Sequence, residues 1–481
     1  MFLGIDIGTS EVKALLLDEH HQIVGNAGAA LDISRPHPGH SEQQPQDWRV
    51  ATHSALAALR STQPQAYAAV EAIGLSGQMH GAVLLDGNHE VLRPAILWND
   101  TRASLECAQM MQELPALPQL AGSLVMPGFT APKLRWLATH EPAVFTRVAK
   151  VLLPKDYVRF MLTDDFVTDM SDGSGTAWLD VEQRDWSDAL LGLTGLTRQH
   201  MPRLVEGSQS SGALSAAVAQ QLGLKSGIAV AGGGGDNAAS AVGMGAVNAG
   251  QGFLSLGTSG VLFLVTPSYR PNATSATHAF CHAVPGKWHQ MSVMLSAASC
   301  LQWAAHLLGA ASEAALEAKA SALPRSAREA APIFLPYLSG ERTPHNSATV
   351  RGSFHGLSHD TDAAALSYAV MEGVTFGLRD GLRALEMAGC SAQRLSLVGG
   401  GSRSAFWAQQ LSSSLNHEIV THGGSIAGGA LGAARLAWLA VGGDMTTVCT
   451  APEVDRVFAP DPSERAMLTP RYEQFRQLYR A

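Results

Sequence analysis

Cysteine is scarce: Cys107, Cys281, Cys300, Cys390 and Cys449 are scattered, odd in number and without a C-x-x-C pair. That excludes a disulfide framework or a structural zinc site and suits a reducing compartment. Charge is also sparse at 15%, with 41 Asp+Glu against 33 Lys+Arg and a net charge of −8. No basic field exists to hold nucleic acid or an anionic membrane, so a phosphate-bearing ligand has to be gripped locally. No stretch of about 20 residues is apolar and uncharged enough to span a bilayer. The most apolar run, 227–247, is interrupted by Asp236 and Asn237. Residues Met1 to Gly8 show no basic segment ahead of an apolar one, so no secretory signal is expected and the default location is cytoplasmic. Two nucleotide signatures are missing: there is no G-x-x-x-x-G-K-[ST], and no G-x-G-x-x-G between a strand and a helix.

What is present is a chain of 481 residues, 46% apolar. Single cores stop growing beyond about 250–300 residues, so two large domains are expected. Residues 5–17, IDIGTSEVKALLL, lie over 254–266, LSLGTSGVLFLVT, without a gap and about half a chain apart. Each copy reads as strand, Gly-Thr-Ser turn and strand, a β-hairpin. Two similarly built halves follow, 1–245 and 246–481. Apolar spacing predicts helices over 47–59 and 362–386 and buried strands over 70–75, 228–231 and 395–398, an α/β alternation. The Ala-rich, charged stretch 311–331 ahead of Pro332 reads as an exposed helix and loop.

Glycine is concentrated where chemistry is expected. Gly8-Thr9-Ser10, Gly232 to Gly235, Gly257-Thr258-Ser259 and Gly399-Gly400-Gly401 form four small-residue turns. Such turns aim backbone N–H groups at an anion, and several of them suit a polyphosphate. Asp6 and Asp236 each adjoin one of these turns, and the counterpart of Asp6 in the second copy is Ser255, so the hairpin itself does not require the aspartate. Two carboxylates beside phosphate turns fit phosphoryl transfer, one helping to hold hydrated Mg²⁺ and one taking a hydroxyl proton. A strand-end carboxylate for Asp6 and a helix N-cap for Asp236 are the structural alternatives.

These residues carry a family resemblance. Gly4 to Ser10 with Val12-Lys13 resembles the opening of the FGGY carbohydrate kinases; Gly128 to Leu137 resembles that family's first signature and Gly352 to Leu357 its second. Trp98 to Arg102, Gly234 to Asn237 and Gly428 to Ala437 continue the likeness in family order. Within the family, Ser76-Gly77-Gln78-Met79-His80-Gly81 is similar to the sugar-facing segment of the bacterial xylulose kinases, as are Leu152 to Tyr157 and Leu338 to Asn346.

The resemblance implies an actin-like ATPase fold with ribonuclease-H-like cores, a sugar deep in a cleft, and ATP with Mg²⁺ bound mainly from the C-terminal side. It implies D-xylulose as substrate, phosphorylated at O5. Asp236 would be the general base, and Asp6 would lie at the metal and phosphate end. Met79, His80, Asp236 and Asn237 would hold the sugar. Thr9, Ser10, Lys13, Gly257, Thr258, Gln302, Gly400, Gly401 and Ser404 would face the nucleotide. The resemblance admits a homodimer. A kinase for another sugar or polyol such as L-ribulose, an actin-like ATPase without sugar chemistry, and a binding protein with dead catalysis remain the alternatives, because fold fixes chemistry better than substrate.

Three positions depart from the family pattern. Glu11 brings a carboxylate to the first phosphate turn, and unless it points to solvent it should weaken ATP binding by like-charge repulsion. Ala365 and Ser425 stand where polar or acidic residues are common, and both read as surface or second-layer changes. Of the remaining histidines, His20, His21, His37 and His40 form no ligand set and read as solvated loop. Trp98, Trp136, Trp303 and Trp407 read as core, with stacking on sugar or adenine as the alternative.

Overall fold

The computed structural model describes residues 1–423 and 428–479. Two mixed sheets dominate it. The first uses β1 (Phe2–Ile7), β2 (Glu11–Leu17), β3 (Ile23–Ala30), β4 (Ala72–Gly77), β5 (Ser210–Ala213) and β6 (Ala229–Ala231) in the order β5-β6-β4-β1-β2-β3, with the short strand Gly234–Gly235 added along β4. The second uses β7 (Gln251–Leu256), β8 (Gly260–Thr266), β9 (His278–Cys281), β10 (Trp288–Met294), β11 (Arg394–Val398), β12 (Ile419–His422) and β13 (Val454–Phe458) in the order β9-β10-β8-β7-β11-β12-β13. β1 pairs antiparallel with β2 and parallel with β4, as β7 pairs antiparallel with β8 and parallel with β11. The half-chain repeat thus covers a whole α/β unit, and the hairpin is its seed.

The two hairpins differ in one respect. Ile7 faces Val12, whereas Leu256 faces Gly260, so the second turn is one residue shorter than the gapless overlay implies. Because side chains alternate across a strand, a one-residue slip changes which face they occupy. Lys13 therefore sits exposed opposite Asp6, while Leu262, its partner in the overlay, is buried.

Helices cover the sheets where their apolar spacing allows. The helix α1 (Pro45–Thr62) starts with proline at its first turn and buries Trp48, Ala51, Ala55, Leu56 and Leu59, one stripe at three- and four-residue spacing, against β2 and β3. The later ones are α2 (Thr130–His140), α3 (Pro154–Thr163), α4 (Asp236–Gly243), α5 (Ala298–Leu307), α6 (Glu313–Ser321), α7 (Ala363–Met387), α8 (Ala405–Leu415) and α9 (Gly428–Ala440). Asp362 caps α7 by accepting the Ala365 amide at 2.8 Å, so the side chain at 365 is not needed for the cap and its change to alanine is tolerated.

The stretch 311–331 is an exposed helix and loop, as its composition predicts: it forms α6 and a second short helix, Arg325–Glu329, and the two helices bury only Leu316 and Ala320.

One helix crosses between the halves. α9, far along the second half, packs on β1 and β4 of the first sheet and against α4. Small residues permit the approach: a Cβ at Gly4 would strike the Ala430 carbonyl, one at Gly74 the Ala433 carbonyl, and one at Gly432 the Ala239 carbonyl. The 245/246 point falls in the loop between α4 and β7.

Candidate active site

Asp6 lies at the end of β1, opposite Lys13 on one side and Ser76 on the other. Its Oδ1 is buried with no hydrogen-bond partner among the described residues. A side chain at Gly429, in the first turn of α9, would press on that oxygen, so glycine there keeps the carboxylate open. Burial pushes the Asp6 carboxyl up, against the pull of the Ser76 hydroxyl and the Lys13 ammonium. A buried, orphaned carboxylate oxygen fits a hydrated divalent cation, a hard ion that takes oxygen ligands and keeps several waters. No cluster of three or more His, Cys, Asp or Glu forms a closed cage among the described residues.

Asp236 opens α4, and its carboxyl is pushed up to about 7, first by burial and then by the negative charge of Asp6. Its Oδ1 accepts from the Asn237 amide at 2.7 Å and from Asn237 Nδ2 at 2.9 Å. The other oxygen has no hydrogen-bond partner among the described residues. The N-cap reading is not met, since the cap position belongs to Gly235 and Asp236 is the first helical residue.

His80 follows β4 with a positive φ of 70°, a conformation costly for a non-glycine residue and held by its surroundings. Its Nδ1 lies 2.6 Å from the Gly175 carbonyl, its ring stacks on Phe129 at 4.6 Å, and its own carbonyl accepts from Lys133 Nζ at 2.9 Å and Thr130 Oγ1 at 3.1 Å. Burial drives the imidazole down to about 3, so it is neutral. A carbonyl only accepts, so Nδ1 carries the proton and Nε2 presents a lone pair. Met79 packs where side chains at Gly175 and Gly235 would otherwise be, which brings Met79, His80 and the Asp236 turn together.

A cavity of about 540 Å³ opens in the second half, lined by Gly257, Thr258, Gln302, Gly400, Gly401 and Ser404 together with Glu313, Ala314, Glu317 and Trp407. The turn 257–259 is fixed from below: the Ala298 and Ala297 amides at the start of α5 donate to the Gly257 and Thr258 carbonyls at 2.8 and 2.9 Å. The Thr258 hydroxyl has no hydrogen-bond partner among the described residues. Ser404 caps α8 through the Trp407 amide at 2.9 Å and donates to Glu317 at 2.5 Å, so its hydroxyl is committed to shaping the wall.

Residues 1–243 match the N-terminal domain, and residues 252–441 the C-terminal domain, of the FGGY family of carbohydrate kinases. The chain belongs to the FGGY carbohydrate kinases. It is 48% identical to a xylulose kinase of Escherichia coli strain K12 over all of this chain and 98% of that one. Its fold superposes on a crystal structure described as a "xyloylose kinase" from Brucella ovis with TM-score 0.96 at 50% identity, covering 99% and 98% of the two chains. A gluconate kinase from Lactobacillus acidophilus, 25% identical, still reaches TM-score 0.93 over 99% and 96%.

As an FGGY kinase, the protein uses ATP on a carbohydrate, and its first signature packs around the His80 turn. Gly128 passes against the Trp98 carbonyl where a Cβ would collide, Phe129 stacks on His80, and Thr130 and Lys133 hold the His80 carbonyl. The two Gly-Thr-Ser turns have diverged. Thr9 Oγ1 donates to Gln78 Oε1 at 3.1 Å and accepts from Trp98 Nε1 at 3.0 Å, which ties the first turn to the segment 76–81 and commits the Thr9 hydroxyl. Ser10 is exposed on the same turn.

Trp98 is 46% exposed, not core, whereas Trp407 is buried and Trp303 partly so. The Glu11 side chain is 41% exposed and lies over Gly28 of β3, where a side chain would collide with it, with Oε2 3.6 Å from Lys13 Nζ. Ser425 lies outside the described residues. His20 is exposed as expected, but His21 packs on Trp438 at 5.3 Å.

Sequence reasoning missed the Gly175 carbonyl, Phe129 as a stacking partner, and the α6 acids Glu313 and Glu317. The first lies in a run of small polar residues, 168–176, whose Asp-x-Ser pattern is a helix-cap signal.

Proposed function

We propose that this kinase transfers the terminal phosphoryl group of Mg·ATP to O5 of D-xylulose, giving D-xylulose 5-phosphate and ADP. In this reading residues 1–245 carry the sugar side and 246–481 the nucleotide side. The observation that supports it most is the convergence of Met79, neutral His80 and the Asp236–Asn237 pair beside Asp6. The 48% identity to a protein named xylulose kinase points to the ketose.

Asp236 takes the O5 proton through its unpartnered oxygen as the O5–P bond forms and the bond from phosphorus to the bridging oxygen of ADP breaks. A positioned base of this kind contributes about 10²–10⁴ in rate. Neutral His80 accepts a sugar hydroxyl at Nε2, Asn237 steadies Asp236 Oδ1, and Met79 supplies an apolar wall. Lys13 and the donors of the turn at 257–259 meet the phosphoryl oxygens, while Gln302, Gly400, Gly401 and the wall set by Ser404 hold the nucleoside. Asp6 would hold the cation through water or directly; when bound, Mg²⁺ neutralises charge on the phosphate oxygens.

The test is ATP consumption with D-xylulose, L-ribulose, D-ribulose, gluconate, glycerol and no sugar, in parallel with Asp236→Asn. A D-xylulose preference that collapses in the variant supports both parts. Preference for another sugar removes the substrate assignment, and undiminished turnover in the variant removes the base.

A further inference from the structure

Behind the Asp236 turn lies a fully buried ionic cluster that the reaction does not touch. Lys155, in the first turn of α3, holds Asp156 at 2.5 Å, Asp169 at 2.8 Å and Asp172 at 3.3 Å, all of them essentially solvent-free. Three buried carboxylates around one ammonium are costly to assemble, and removing the ammonium leaves them uncompensated. Such a cluster needs a structural purpose.

Its geometry leads to the active site. Asp169 Oδ2 accepts from the Ser171 amide at 2.7 Å, from Ser171 Oγ at 2.5 Å and from the Asp172 amide at 3.3 Å, capping the short helix Met170–Ser174. Because a carboxylate only accepts, the Ser171 hydroxyl proton is committed to Asp169. Ser171 Oγ is then free to accept, and it does so from the Gly235 amide at 3.1 Å, the peptide immediately before Asp236. Gly175, directly after the same short helix, presents the carbonyl that fixes His80.

We infer that Ser171 is a positioning residue for Asp236, held by Asp169 and Lys155, so that one short helix sets both the base and the sugar-binding histidine. The inference rests on the proposed kinase reaction for its kinetic readout, but the Ser171–Gly235 bond is measurable without substrate.

Ser171→Ala removes the acceptor for the Gly235 amide together with the hydroxyl that donates to Asp169, whereas Ser171→Thr keeps both. Loss of the bond to the Gly235 amide is expected to lower kcat roughly tenfold or more in Ser171→Ala, with KM for D-xylulose within about threefold and Ser171→Thr near the wild type. A purely structural role would instead lower melting temperature and active fraction in both variants without this split. Hydrogen exchange of the Gly235 amide provides the second readout: slow in the wild type, about tenfold faster or more in Ser171→Ala. If Ser171→Ala does not fold, Ser171→Cys, a weaker acceptor of similar shape, is expected to give an intermediate loss of both kcat and protection. A folded Ser171→Ala with wild-type kcat and wild-type Gly235 protection overturns the inference. If the wild type fails on every sugar, the kinase reading is what fails, and Gly235 exchange alone decides the role of Ser171.

Discussion

At the residue scale, the raised carboxyl of Asp236 makes the strongest demand. A base has to be ionised, so kcat/KM should climb with pH through a limb near 7, the value to which burial and Asp6 push Asp236. Asp236→Asn should abolish that limb and lower kcat by about 10²–10⁴. The same shift has a stability side. Neutral Asp236 tolerates burial, so its contribution is present in full below the ordinary carboxylate value of 3.8 and is lost as pH rises through about 7. Asp236→Asn should therefore melt above the wild type at pH 8 and near it at pH 4, which a pair of thermal scans can read.

In the proposed reading, the two threonines serve different ends that the repeat made look alike. Thr258→Ala should raise KM for ATP several-fold, about the value of one phosphate hydrogen bond, while Thr9→Ala should act mainly on the sugar through Gln78. Steady-state kinetics with each substrate varied in turn distinguishes them. Glu11→Gln should lower KM for ATP by up to about fivefold, since the 3.6 Å pair with Lys13 is solvent-exposed and worth little. Asp6, Asp236 and the glycine turns were legible in the chain because they combine an unusual residue type with a turn. The commitment of Thr9 to Gln78 was not, because it depends on a neighbour 69 positions away.

At the scale of elements, periodicity located α1 and α7 to within a few residues and the buried strands to within two, since each has a continuous apolar stripe or run. It did not mark α9, whose face is built largely from alanine and glycine, which bury well but contrast little with the residues around them. The close crossings of α9 give a direct test. Gly74→Ala and Gly432→Ala should each destabilise the fold by about 1–3 kcal/mol, because the added methyl meets backbone rather than a movable side chain. Gly87→Ala, where nothing lies within 4 Å, is the control and should be neutral in the same urea titration.

At the scale of the molecule, the duplicated hairpin announced two similar α/β units, and the sheets share a central order, although the second adds the edge strand β9 and takes its far-edge strand from after its neighbour rather than before it. What the repeat did not disclose is that the units share an element. β1 and β4, present by residue 77, are covered by α9, which begins at Gly428. During synthesis the first sheet therefore leaves the ribosome with one apolar face bare, and it stays so until roughly two hundred residues beyond its own half have been made. At about 5–20 residues per second that wait is on the order of 10–40 s. The nascent first half is thus a client for whatever shields exposed sheet in the cell, and native assembly of both halves is completed by the same late helix.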